Sequence, residues 1–182
     1  MKKICIFGSY KSSGKKKDEV IKLGRLLAAG GFEVITGGFG GIMEDVSRGA
    51  KEAGGKTIGV TYYKYEDVKY KKPNKYVDEE IKTENIFERI DVMTETADAF
   101  IVLPGGTGTL LELAACLEKI NKGLMEPKPI IALGGWWRGV LLRLAEEPVL
   151  SGKARSAPGA LFCVDLVTFV NTAEEAADKI SS

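Results

Sequence analysis

The residues of this 182-residue chain best suited to chemistry are glycines, one acid and one arginine. Three glycine-bearing stretches follow short apolar runs: GSYKSSG (8–14), GGFGG (37–41) and PGGTGT (104–109). Glycine lets backbone N–H groups approach an anion, and a helix starting there adds partial positive charge. Gly8, Ser9, Gly37, Gly38 and the run Gly105, Gly106, Thr107, Gly108 and Thr109 are therefore the candidate phosphate or nucleotide ligands. None of the three stretches is a P-loop, because the Lys-[Ser/Thr] pair is missing, and none has the GxGxxG spacing of a dinucleotide site. Taken singly, each also reads as a tight turn; three along one edge point to a phosphate-bearing small molecule.

The acid is Glu112. TLLE (109–112) matches the capping box S/T-x-x-E, so Thr109 is expected to cap a helix and Glu112 to reach back to it. TAEE (172–175) has the same pattern with no chemistry near it. A capping carboxylate would also sit at the rim of the phosphate loop, so the two roles coexist. The arginine is Arg89. Its helical neighbours Asn85, Ile86, Val92 and Met93 include no acid, which leaves a solvated arginine or a guanidinium clamp on phosphate or substrate. Histidine is absent, which excludes Ser-His-Asp and Cys-His catalysis and removes the commonest metal ligand. Cys5, Cys116 and Cys163 lie far apart with no CxxC spacing. No metal or other cofactor is expected. Buried free thiols in a reducing cytoplasm fit these cysteines, with Cys116, close to Glu112, as a second candidate for reactivity.

The elements that must position these residues alternate. Strands are expected at KICIF, FEVIT, KTIGVTYY, DAFIVL, KPIIAL and LVTFV. Helical stripes follow at 16–29, 42–53, 83–97, 109–122, 136–147 and 172–180. Strands separated by helices imply parallel pairing with right-handed crossovers. The expectation is a single α/β, Rossmann-like, doubly wound parallel sheet of about six to seven strands, one domain over 1–182. Its ligand edge is the shared C-terminal end of the strands. Residues 63–76 are lysine-rich without period and read as a long mobile loop, and 151–159 as a Gly/Ser/Pro-rich connection. A net charge of +1 argues against a nucleic-acid partner, and the lysine clusters at 11–17 and 64–75 read as solvated loops. The N-terminal apolar run is too short for a signal peptide, and no stretch is long enough for a membrane span.

Together these residues resemble the LONELY GUY family. Its hallmark PGGxGTxxE is matched by Pro104, Gly105, Gly106, Gly108, Thr109 and Glu112. Arg89, Met93 and Ala97-Asp98 fall at the family's spacing, GGFGGIM (37–43) echoes its GGGxxGLM loop, and Gly135-Trp136 its GW. Ile90 and Leu111 depart from the family's lysine and first acid. The resemblance implies a Rossmann-like homodimer, or larger homo-oligomer, that binds a nucleoside 5′-monophosphate and cuts its N-glycosidic bond, releasing base and ribose 5-phosphate. Gly106, Thr107, Gly108 and Thr109 would then hold the phosphate, and Glu112 and Arg89 would be the catalytic pair. The same superfamily includes molybdenum-cofactor carriers, which keep the anion site and bind without turnover.

Overall fold

A computed structural model describes residues 1–12, 14–62, 72–146 and 163–181. Seven strands form one parallel sheet in the order β4-β3-β2-β1-β5-β6-β7. They are β1 (Lys3–Phe7), β2 (Glu33–Thr36), β3 (Thr57–Tyr62), β4 (Glu79–Thr83), β5 (Ala99–Val102), β6 (Ile130–Leu133) and β7 (Val167–Val170). The helices are α1 (Lys15–Ala29), α2 (Ile42–Glu52), α3 (Ile86–Thr96), α4 (Thr107–Asn121), α5 (Trp136–Ala145) and α6 (Ala173–Ser181). The expected doubly wound α/β sheet is therefore observed, with one strand more than the six runs read from sequence. The addition is β4, EEIKT, whose single isoleucine gave no apolar run because it is an edge strand exposed along much of its length.

Strand alternation divides the core in two. Ile4, Ile6, Val34, Ile101 and Ile131 face α1, α2 and α6. Cys5, Phe7, Ile35, Val60, Phe100 and Ile130 face α3, α4 and α5, and there Phe7 stacks on Phe100 with centroids 5.7 Å apart. The chain runs outward from β1 to β4, then α3 carries it back to β5 on the other side of β1. β1 and β5 are thus the neighbours at which the winding reverses, where open sheets bind ligands beyond the strand C-termini. The loops leaving these two strands are the stretches 8–14 and 104–106, two of the three glycine loops.

Residues 63–71 of the expected mobile loop, and all of 151–159, lie outside the described residues. The rest of the first segment is anchored. Asn74 Nδ2 donates to the carbonyls of Gly38 (3.1 Å) and Phe39 (2.9 Å), and Asp78 accepts from Thr57 N (2.9 Å) and Lys51 Nζ (2.8 Å).

Candidate functional site

Arg89 and Glu112 come from different helices, and the structure brings them together. α3 opens on Asn85, whose side chain accepts from the N–H groups of Phe87 and Glu88. At its other end Lys128 Nζ donates to the carbonyls of Thr94 (2.9 Å) and Ala97 (2.6 Å). Lys119 of α4 reaches across to Asp91 (2.7 Å) and Thr94 Oγ1 (2.8 Å), locking α4 to α3. Arg89 Nη1 then lies 3.7 Å from Glu112 Oε1, with both side chains nearly buried at 9% and 12% exposure. Arg89 Nε donates to Val60 O at 2.7 Å, and the guanidinium sits 5.6 Å from the Phe39 ring and 5.8 Å from that of Tyr62. The solvated-arginine expectation is overturned: the groups that engage Arg89 come from β3, loop 37–41 and α4, which helical spacing could not reveal.

Burial pushes the Glu112 carboxyl from its ordinary 4.5 up to about 7, and Arg89 works against that rise. A carboxyl titrating near neutrality beside a fixed guanidinium can hold or release a proton at little cost. The capping-box expectation for Glu112 fails. α4 is capped three residues earlier than the motif implied, with Gly106 at the N-cap and no side-chain cap bond. Thr109 is buried inside the first turn, with Gly105 so close to its hydroxyl that a β-carbon at 105 would collide with it. At 172–175 the same pattern does cap: Glu175 N donates to Thr172 Oγ1 at 3.2 Å. Glu112 is thereby left for the site. Burial, together with the nearby Glu112, also drives the Cys116 thiol up to about 12, which removes it as a reactive thiol; Cys5 is likewise buried, free and raised.

The remaining candidates divide by location. Gly106, Thr107 and Gly108 are exposed at the N-terminus of α4, where the first N–H groups have no intrahelical partner. Gly8 packs on Ile42, and Ser9 O accepts from Ile42 N (3.0 Å), which fastens the first loop to the second. Gly41, at φ 69°, completes that joint, because a side chain there would overlap the Tyr10 backbone. Gly38 N–H is already given to Thr36 Oγ1 (3.0 Å). Gly37 seats the arginine: a β-carbon there would occupy the position of Arg89 Nη2 and press on Met43 Sδ. Gly37→Ala is expected to displace Arg89 and to destabilise the fold by about 1–3 kcal/mol; a thermal melt checks it.

A cavity of about 540 Å³ opens at the switch point, lined by Ser9, Lys11, Lys16, Pro104, Gly105 and Trp136 among others. Gly105 belongs to its lining; Arg89 and Glu112 do not. The family model that matches the chain covers residues 1–152, which takes in all three glycine loops, Arg89 and Glu112. The chain belongs to the SLOG cluster4 family. A cytokinin riboside 5′-monophosphate phosphoribohydrolase of Mycobacterium marinum is 35% identical over 146 residues, covering 79% of this chain and 76% of that protein. The Arabidopsis thaliana enzyme of the same name, LOG7, is 32% identical over 203 aligned positions, covering 100% of this chain and 86% of that protein. Among solved structures, a molybdenum cofactor binding protein of the phototrophic bacterium Rippkaea orientalis superposes with TM-score 0.71 at 25% identity, covering 98% of this chain and 94% of that one. The LONELY GUY resemblance carried by PGGTGTLLE is borne out by these relatives.

One positioning residue of this family member escaped sequence reasoning. Trp137 is buried, and its Nε1 donates to Leu103 O at 2.9 Å, fixing the chain immediately before Pro104. The family resemblance singled out the other member of WW, Trp136, which is 60% exposed and lines the cavity instead. Trp137→Phe strands the Leu103 carbonyl and is expected to cost about 1–3 kcal/mol, read as a lowered Tm.

Proposed function

We propose that the chain is a nucleoside 5′-monophosphate phosphoribohydrolase, built as one Rossmann-like domain over 1–182. The observation that carries this is the Arg89–Glu112 pair, held by α3 and α4 beside a helix N-terminus open to phosphate. Its relatives' names point the same way. Gly106, Thr107, Gly108 and Thr109 hold the 5′-phosphate through N–H groups and the positive end of α4. Glu112, ionised, faces C1′ as positive charge develops there and orients the attacking water. The water oxygen bonds to C1′, the C1′–N bond breaks, and its electron pair leaves with the base, which takes the proton. Arg89 holds Glu112 ionised and in place.

The partner is a nucleoside monophosphate or similar phosphate-bearing small molecule, and the state a homodimer or larger homo-oligomer. Exposed Phe87, Leu110 and Leu111 on the two catalytic helices support the latter, and sedimentation of the purified chain tests it. Buried free thiols fit a cytoplasmic protein, and among the described residues no helix is long and apolar enough to cross a membrane. Incubating the protein with AMP and other common monophosphates and assaying free base tests the activity; no release from any of them defeats the reading.

A second reading, a carrier that binds without turnover, is favoured by one observation. The 540 Å³ cavity lies against Gly105 yet excludes Glu112, so a ligand lodged there would touch the phosphate loop and miss the acid. Stoichiometric binding that survives Glu112→Gln, with no product, identifies it.

A further inference from the structure

We propose that Asn74 is a positioning residue for the Arg89–Glu112 pair, acting on Arg89 through loop 37–41. The inference deepens the phosphoribohydrolase reading and rests on it for what the pair does. Arg89 meets three parts of the fold: Nε donates to Val60 O of β3 (2.7 Å), Nη1 faces Glu112 Oε1 of α4 (3.7 Å), and Nη2 lies against Gly37. The first two contacts come from a strand and a helix, whereas the third comes from a loop. It is also the tightest, since a β-carbon built on Gly37 would fall 1.5 Å from Nη2. Where the backbone runs at Gly37 therefore decides where the guanidinium can lie.

The loop that sets this backbone is glycine-rich, and glycine is the residue hardest to fix. Its two ends are held by neighbours in the fold: Gly38 N–H donates to Thr36 Oγ1 (3.0 Å), and Gly41 packs on the Tyr10 backbone. Asn74 holds its middle. The Asn74 N–H donates to Gly38 O at 2.7 Å, and Nδ2 donates to Gly38 O at 3.1 Å and to Phe39 O at 2.9 Å. Its Oδ1 accepts from Tyr76 N (3.0 Å), so the amide is oriented by the chain that follows. Val77 then packs on Gly59, where a β-carbon would come within 3.0 Å of both Val77 and the Gly38 α-carbon. An amide fits this place because it donates twice and accepts at once, which a carboxylate or a hydroxyl does not. Asn74 stands at the end of the lysine-rich stretch 64–75, so a segment that reads as a solvated loop finishes by bracing the site. Without the amide two carbonyls lose a donor, the loop slackens at Gly37, and the guanidinium spends less time beside Glu112.

The Glu112 carboxyl reports where the guanidinium lies. Around it stand Arg89 from α3, Cys116 of α4 and Cys5 of β1, and burial keeps both thiols protonated near neutrality. Carbon-13 NMR of glutamate-labelled protein, with Glu112→Gln to identify the resonance, measures its titration midpoint. Asn74→Ala and the uncharged isostere Asn74→Leu are each expected to move that midpoint upward by about half a pH unit or more, as the cation withdraws. Both should lower kcat/KM for AMP about tenfold, the cost of a misplaced group. Asp78→Asn is the structural control: Asp78 anchors the same segment by accepting from Thr57 N (2.9 Å) and Lys51 Nζ (2.8 Å) rather than from loop 37–41. It should lower Tm as the Asn74 variants do and leave the midpoint within about 0.2 of wild type, because distant sites act independently. An unmoved midpoint in both Asn74 variants would overturn the proposal. So would an equal movement in Asp78→Asn, which would trace the effect to general loosening. Midpoints that move as expected, in a protein that releases no adenine from AMP, would defeat the hydrolase reading alone and leave Asn74 in its positioning role.

Discussion

Glu112→Gln is expected to abolish turnover and to make the protein more stable at pH 8. The two effects have one cause. The Glu112 carboxyl titrates near 7 in the fold against 4.5 when free, a difference of about 3 kcal/mol between its protonated and ionised forms. Between those two values the folded chain holds a proton that the unfolded chain has released. Stability therefore falls as pH rises from 4.5 through about 7, and levels off above. Glutamine never ionises, so the variant escapes that loss. Its advantage should be near zero at pH 4.5 and approach about 1–3 kcal/mol at pH 8, seen as a Tm higher by roughly 5 °C. Turnover should fall at least about a hundredfold, because an amide cannot stabilise the cationic transition state. Melts at pH 5 and 8, with an assay of base release, give both readings. A variant less stable than wild type at pH 8 would mean that the buried carboxylate is satisfied rather than strained.

The same carboxyl is expected to set the pH dependence of the wild-type enzyme. The proposed mechanism uses the ionised form, so kcat/KM should rise with pH along a limb centred near 7, the value in the free protein. Bound substrate brings a phosphate dianion close to Glu112 and raises its pKa further. The corresponding limb of kcat should therefore lie at higher pH than that of kcat/KM. A limb at 4.5 would remove Glu112 from the role.

Much of this site was legible in the residues, and the part that was not has a common reason. PGGTGT announced a glycine turn into a helix because glycine and helix-start chemistry are local, and the structure opens a helix there. The strands at 3–7, 33–36, 99–102 and 130–133 were legible because burial on both faces writes a continuous apolar run. β4 was missed because an edge strand is not obliged to be apolar. The local pattern at 109–112 misled, since TLLE satisfies a capping rule that the chain uses at 172–175 and not here; only the position of Gly106 before the helix decides between them. The environment of Arg89 could not be read from local pattern, and only the family resemblance paired it with Glu112. Every group that makes it special, Val60 O, Phe39, Tyr62 and Glu112, is at least 20 residues away in sequence and meets it only through the crossover of α3.

Arg89→Met should therefore be more damaging than its conservative volume suggests, and its damage should depend on pH in a way that identifies the cause. The substitution removes the donor to Val60 O and leaves a buried carbonyl unpaired, a cost of about 1–3 kcal/mol that does not vary with pH. It also removes the guanidinium charge that lowers the Glu112 pKa, so that carboxyl should titrate well above 7. Deleting one member of a buried ion pair ordinarily costs about 3–5 kcal/mol, but Glu112 can avoid most of this by keeping its proton. The variant should accordingly lose little beyond the carbonyl cost at pH 6 and progressively more toward pH 9, as the folded chain retains a proton that the unfolded chain gave up near 4.5. At pH 7 activity is lost twice over, through the missing guanidinium and through a protonated Glu112, and kcat/KM should fall about a thousandfold or more. Raising the pH should recover part of that loss, along a limb displaced upward from the wild-type position. Arg89→Lys should restore much of the limb, since a cation returns, without restoring the full rate, since an ammonium lacks the planar fork that reaches Val60 O and Glu112 together. A methionine variant whose limb stays near 7 would show that Arg89 and Glu112 do not act as a pair.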